Sequence, residues 1–271
     1  MTALEAPAPR KARWTKIRIL GWGVMSVFAI AGFFLLRMVV LQFDPDLLSR
    51  YGPKLLEGLV VTLTIVAISV GAGALLSFPV AMARMSSSRF LQAISYGYVY
   101  FFRGTPLLAQ VFLIYYGAGQ FRDQLEAVGL WDFFAEAFWC VLFTFTLNTA
   151  AYQAEILRGA IQSVPRGQTE AAQSLGLKPV VIFFRIIVPQ ALIIALRPLG
   201  NEIILMIKGS AIASVVTVFD LMGATKLAFS RSFDFQVFIW AAILYLVMVE
   251  TLRRIWNRLE KRLTRHLKMA N

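Results

Sequence analysis

Long apolar runs, each closed by a few charged positions, divide this chain more sharply than any periodicity within the runs. Ile19–Leu36 carries no charge and continues, past Arg37, to Leu41. Further runs cover Leu59–Ala83, closed by Arg84 and Arg89, then Tyr96–Gly117, Phe133–Leu157, a stretch within Ile186–Ile207 that holds Pro189 and Pro198, and Val237–Val249. Each approaches the roughly 20 residues that cross a hydrocarbon layer as a helix. Only helices and closed barrels satisfy every backbone group there, and runs of this length select helices. The expectation is an all-α polytopic bundle of about six transmembrane helices.

Composition supports the same class. Of 271 residues 58% are hydrophobic and 15% charged, where soluble domains run nearer half and a quarter. A single cysteine, Cys140, excludes an internal disulfide, and a single histidine, His266, excludes a His-rich metal centre. The net charge of +12 would suggest nucleic acid in a soluble protein. Here the basic residues flank apolar runs, which is what membrane orientation requires. Arg10, Lys11, Arg13, Lys16 and Arg18 precede the first run, and Arg253 to Lys268 follow the last. The segments 42–57 and 119–134 are balanced or acidic. Basic segments inside and six crossings both place the two termini in the cytoplasm. A signal peptide is the other reading of the first run, but its length and the LQFDPDLL that follows favour an uncleaved helix.

Residues 158–189 read RGAIQSVPRGQTEAAQSLGLKPVVIFFRIIVP, a polar segment between two apolar runs. A turn at Pro165-Arg166-Gly167, a helix starting after Gln168-Thr169 with Glu170 in its first turn, and a Gly176 end-cap are expected. Ala171, Ala172 and Leu175 give that helix a small apolar face. Such a segment is either an ordinary loop helix or one shaped to sit in another protein's groove.

Glu170-Ala171-Ala172, Gly176 and Ile186-Ile187-Val188-Pro189 resemble the EAA loop of ATP-binding-cassette importer permeases, with Val188 in place of the usual Leu. Phe102 to Gln110 (FRGTPLLAQ), Asn148 to Tyr152 with Glu155 to Gly159, and Gly200-Asn201-Glu202 with Lys208-Gly209-Ser210 are similar to the polar amino-acid branch, which imports histidine, glutamine, arginine and opines. The resemblance covers residues 55–260; residues 1–54, with an extra N-terminal span, depart from it, and 261–271 form a basic tail. It implies a type I importer permease fold in an inner membrane and transport by alternating access. Glu170, Ala171, Ala172, Gly176 and Pro189 would couple the chain to its ATPase. It implies as partners the ATPase subunits, a second permease subunit and an extracytoplasmic amino-acid-binding protein. No G-x-x-x-x-G-K-[ST] loop occurs, so ATP and Mg would be bound by the partner, with no cofactor on this chain and no enzymatic chemistry. The rival class is a passive channel or membrane scaffold.

Ionisable and amide groups at membrane depth mark pathways or helix contacts. Thr144, Asn148, Tyr152 and Glu155 fall on one helical stripe. Arg197, Asn201 and Lys208 share another face, with Glu202 about 100° away; Arg103, Gln110 and Gly117 align at heptad spacing. The bland reading is interhelical bonding and snorkelling, including an Arg103–Glu155 pair. The functional reading is a translocation site built from Asn148, Asn201, Glu202 and Thr144, with Arg197 for a substrate carboxylate and a helix broken beside Pro198 and Gly200.

Overall fold

The computed structural model describes residues 15–41 and 43–265, and these are helical and turn throughout. The basic positions Arg10, Lys11 and Arg13 and the tail residues His266 and Lys268 lie outside the described residues. Two compact units are formed, Met1–Leu48 and Ser49–Asn271. The first holds α1 (Lys16–Leu41) and the opening of α2 (Pro45–Arg84), and α1's described side chains are exposed. The second holds the rest of α2 and then α3 (Arg89–Gly104), α4 (Leu107–Gln120), α5 (Arg122–Ala127), α6 (Trp131–Ala135) and α7 (Ala137–Gln162). After them come α8 (Arg166–Ser174), α9 (Pro179–Ile182), α10 (Val188–Gly209), α11 (Leu221–Ser232) and α12 (Gln236–Leu263). Among the described residues four segments are long and apolar enough to cross a membrane: Lys16–Phe34, Pro45–Arg84, Pro179–Val216 and Gln236–Leu263.

Prolines punctuate the helices unequally. The run expected as one helix over Tyr96–Gly117 is two helices. Pro106 has no N–H to donate and drives the residue before it out of the helical region, so Thr105 is extended at φ −112°, ψ 149°. Heptad alignment of Arg103, Gln110 and Gly117 along one helix therefore does not hold. Pro189 likewise cannot bond back to Arg185, and the turn before it widens into a π-helix over Phe183–Ile187, where the Val188 amide reaches Phe183. Pro198 was the expected break, yet α10 runs through it unbroken. The run expected from Phe133 is interrupted at extended Glu136, and α7 proper extends to Gln162.

Small residues let the central helices approach. Ala160 of α7 and Val164 just after it meet Ala191 and Ala195 of α10, with Ile156, Leu157, Ile187 and Leu199 around them. In a membrane this packing, not water exclusion, draws helices together. Gly73 of α2 sits where a Cβ would be 2.5 Å from the Thr149 methyl of α7. Gly200 of α10 lies under the indole of Trp256, which a Cβ would overlap, and the Trp256 Nε1–H donates to the Leu196 carbonyl at 2.8 Å.

Candidate functional site

The break between α3 and α4 frees backbone carbonyls inside the bundle, and two amides satisfy them. Gln110, 2% exposed, donates through Nε2 to Phe102 O at 2.9 Å, Thr105 O at 3.0 Å and Thr105 Oγ1 at 2.8 Å. Asn148 of α7 donates through Nδ2 to the same Phe102 carbonyl at 3.0 Å and to Gln110 Oε1 at 2.9 Å. Tyr98 adds an O–H donated to Leu147 O at 2.6 Å. Buried polar groups left without partners are costly, and here the cost is met by pairing a broken helix with an amide-bearing one.

Thr144, one turn earlier on α7, is fully buried and donates to its own helix, at Cys140 O, 2.7 Å. Glu202 is buried on the face of α10 that meets α7. Thr149 donates to its Oε1 at 3.3 Å, and Gln153 donates both to Thr149 Oγ1 at 3.1 Å and to Val70 O of α2 at 3.2 Å. Thr149 and Gln153 were missing from the sequence-predicted stripe because they lie on the adjoining face of α7.

Arg197 and Asn201 are not brought to this centre. They face away from Glu202 on α10, into an open cleft of about 350 Å³ between α10 and α12, with Arg253, Trp256 and Asn257. Arg197 is 82% exposed there and its Nε donates to Glu260 at 2.6 Å.

Two turns further along α7 from Asn148, Glu155 gathers three guanidinium groups: Arg158 at 2.8 Å, Arg84 at 3.0 Å and Arg103 at 3.9 Å. The Arg103–Glu155 pair expected from sequence is thus part of a larger cluster. Arg84 stacks over Tyr96 and Arg103 over Tyr152, at 4.9 and 5.2 Å from the ring centres. Arg84, Tyr96, Tyr100, Arg103 and Glu155 line a second cleft of about 330 Å³.

The short helix of the polar segment, α8, begins at Arg166 rather than after Thr169. Pro165 fixes the chain just before it. Gly176 has φ +73°, Leu177 N donates to Ala172 O and Gly176 N to Gln173 O, the bond pair of a Schellman cap. Ala172 turns inward, while Glu170, Ala171 and Gly176 are exposed and Leu175 is 79% exposed. Pro189 is exposed at the start of α10.

One buried carboxylate was not foreseen. Asp220, fully buried, caps α11 by accepting from Gly223 N at 2.9 Å and accepts from the Tyr245 hydroxyl of α12 at 3.4 Å. Its neighbour Leu221 N donates to Thr62 of α2 at 3.0 Å. An aspartate opening an apolar helical stretch is the signal that could have revealed it.

Comparison with known proteins fits this architecture. The nopaline transport system permease protein NocM of Agrobacterium fabrum is 42% identical over 226 residues, covering 83% of this chain and 94% of that protein. The histidine/lysine/arginine/ornithine transport system permease protein HisM of Escherichia coli K12 is 37% identical, covering 79% and 90%. A crystal structure of an amino acid ABC transporter with histidines superposes with a TM-score of 0.71 at 34% identity, covering 81% of this chain and 98% of that one. The MetNI methionine ABC transporter in an inward-facing form shares the fold at TM-score 0.62 and 18% identity, covering 78% and 96%. The family described as binding-protein-dependent transport system inner membrane component matches residues 73–265, and this chain belongs to it.

Proposed function

We propose that this chain is the membrane-spanning permease subunit of an ATP-driven importer for polar amino acids or opines, working by alternating access across the inner membrane. The observation that carries this reading is the family match over 73–265 together with relatives named for nopaline and basic amino-acid transport. The chain would pair with a second permease copy or homologue, take substrate from an extracytoplasmic binding protein and sit on two ATPase subunits that hold ATP and Mg. The α3–α4 pair and α7 would cross the membrane beside the more apolar helices, giving six crossings and cytoplasmic termini.

In this reading the pathway runs along α7. Both Asn148 amide hydrogens are committed to Phe102 and Gln110, so Asn148 offers a substrate only its carbonyl oxygen, an acceptor suited to an ammonium group. Glu202, reached through the next residue Thr149, is a second acceptor on the α7–α10 seam. Arg197 is held tightly by Glu260 at 2.6 Å, whereas Arg103 meets Glu155 only at 3.9 Å and is 44% exposed in the tyrosine-lined cleft, so the substrate carboxylate falls to Arg103. Thr144, bonded to its own helix, supports the wall, and Asn201 lines the α10–α12 cleft.

Coupling would pass through α8, whose exposed Glu170, Ala171 and Leu175 offer a small surface beside Ala172, with Gly176 setting its end and Pro189 the restart of α10. Gly176→Val forces a β-branched residue into the left-handed region, a strain of about 1–2 kcal/mol, and thickens that surface. The test is ATP-dependent uptake and substrate-stimulated ATPase activity, measured together in vesicles holding all subunits. The expected outcome is intact assembly, lost uptake and ATPase activity that no longer responds to substrate. Uptake by the unaltered chain without ATPase would instead indicate a channel. Normal coupling in Gly176→Val would remove α8 from the mechanism.

A further inference from the structure

The last turns of α12 carry a surface that transport leaves unused. Leu252, Trp256, Glu260 and Thr264 form the face turned to the bundle, where Trp256 holds Leu196 O and Glu260 holds Arg197. Beside it runs an apolar stripe one helical turn apart, Ile255, Leu259 and Leu263, exposed by 54%, 41% and 42%. Beyond the stripe stand Arg258, Lys261, Arg262 and Arg265, all exposed and without an ion-pair partner among the described residues.

Depth explains the arrangement. At about 1.5 Å per residue the apolar run Val237–Val249 rises only about 20 Å, short of the roughly 30 Å hydrocarbon layer. The missing distance takes α12 about seven residues further, to the level of Ile255 and Trp256. The charges within that distance are paired: Glu250 holds Arg253 at 2.8 Å and Arg254 at 2.7 Å, and the three together carry a net charge of only +1. The unpaired cations begin where the hydrocarbon ends. An exposed apolar stripe beside unpaired cations, on a helix continuous with a membrane-spanning run, complements the negative headgroups and upper acyl carbons of a bilayer surface.

We propose that this end of α12 is a binding surface for anionic phospholipid, with Arg258, Lys261, Arg262 and Arg265 on the headgroup phosphates, Ile255 against the upper acyl carbons, and Leu259 and Leu263 beside it among the headgroups. The inference stands independently of what the chain transports. It is tested with the full chain in nanodiscs of phosphatidylcholine doped with spin-labelled phosphatidylglycerol or spin-labelled phosphatidylcholine, reading the immobilised lipid fraction. The chain should immobilise phosphatidylglycerol preferentially, and the preference should fall as salt is raised. Combined Arg258→Gln, Lys261→Gln, Arg262→Gln and Arg265→Gln should lower it by at least about fivefold, the share of a single surface cation. A variant with lysine at the three arginine positions keeps the charge and should keep the preference, which separates loss of binding from misfolding. Equal selectivity in the glutamine variant and the unaltered chain would overturn the proposal. So would loss of ATPase-subunit binding in the glutamine variant with lipid selectivity unchanged, which would assign the surface to a protein partner.

Discussion

The seam joining α3, α4 and α7 and the cleft between α10 and α12 hold similar residue types and use them in opposite ways. In the seam Asn148 and Gln110 are buried, and their amides meet carbonyls that a proline break has freed. In the cleft Arg197 and Asn201 are exposed, and the Arg197–Glu260 pair is short at 2.6 Å yet open on one side. Distance alone would rank the ion pair first. Exposure reverses the ranking: an exposed pair contributes about 0–1 kcal/mol, whereas orphaning one buried polar group costs about 1–3 kcal/mol. Polar residues at membrane depth are thus better ranked by what their removal leaves unsatisfied than by how close their partners lie.

The largest effect expected from this contrast is at Gln110. Gln110→Leu keeps the volume roughly but strips Thr105 O of its side-chain donor and leaves Asn148 with one acceptor fewer. Phe102 O keeps its bond from Asn148, so the loss should amount to about 2–3 kcal/mol and not more. The fraction of chain that stays monodisperse in detergent after a heat step measures it. Stability equal to that of the unaltered chain would mean that the break is held by backbone packing alone.

Next comes the contact that closes the α10–α12 cleft at its base. Gly200→Ala places a methyl group against the Trp256 indole, and the ring must leave its bond to Leu196 O. Overpacking of this kind costs about 1–3 kcal/mol. The same heat step should show the loss, accompanied by a red-shifted tryptophan emission as the indole meets water. An unchanged melting point would mean that α12 can shift without penalty, and that the cleft is looser than the seam even where it is packed.

How much of this was legible beforehand depends on which force set each feature. The apolar runs of α1 and α12 and the glycine cap of α8 are local, and they read directly. Pro106 and Pro198 did not, because a proline states only that one backbone bond is missing. Pro106 ends a helix since Gln110 and Asn148 can take the freed carbonyls; Pro198 leaves α10 intact, with the indole of Trp256 set against Gly200 and Leu196 beside it. At Pro106 the outcome depends in part on Asn148, far away in sequence. The same holds for the candidate site. The Thr144–Asn148 stripe was visible from helical spacing, while the Gln153–Thr149–Glu202 chain required knowing which face of α7 meets α10. Asp220 was hidden in a loop whose partners, Thr62 near by and Tyr245, come from helices far apart in the chain.

The smallest stability effect is expected at Asn201, and it separates the two regions most cleanly. Asn201 is exposed on the cleft wall, so Asn201→Ala should change stability by no more than about 0.5 kcal/mol. Asn148→Ala removes two buried bonds and should cost more than that in the same assay. Stability therefore tests the structural role, and substrate binding to the assembled transporter, measured without the binding protein, tests the other. A lost hydrogen bond to a charged substrate group weakens affinity by about ten- to a hundredfold. If the pathway follows α7, Asn148→Ala weakens binding by that factor among the molecules that remain folded, and Asn201→Ala leaves it unchanged. The opposite pattern, with Asn201→Ala stable but unable to bind, would move the substrate into the α10–α12 cleft and reduce the seam to scaffolding.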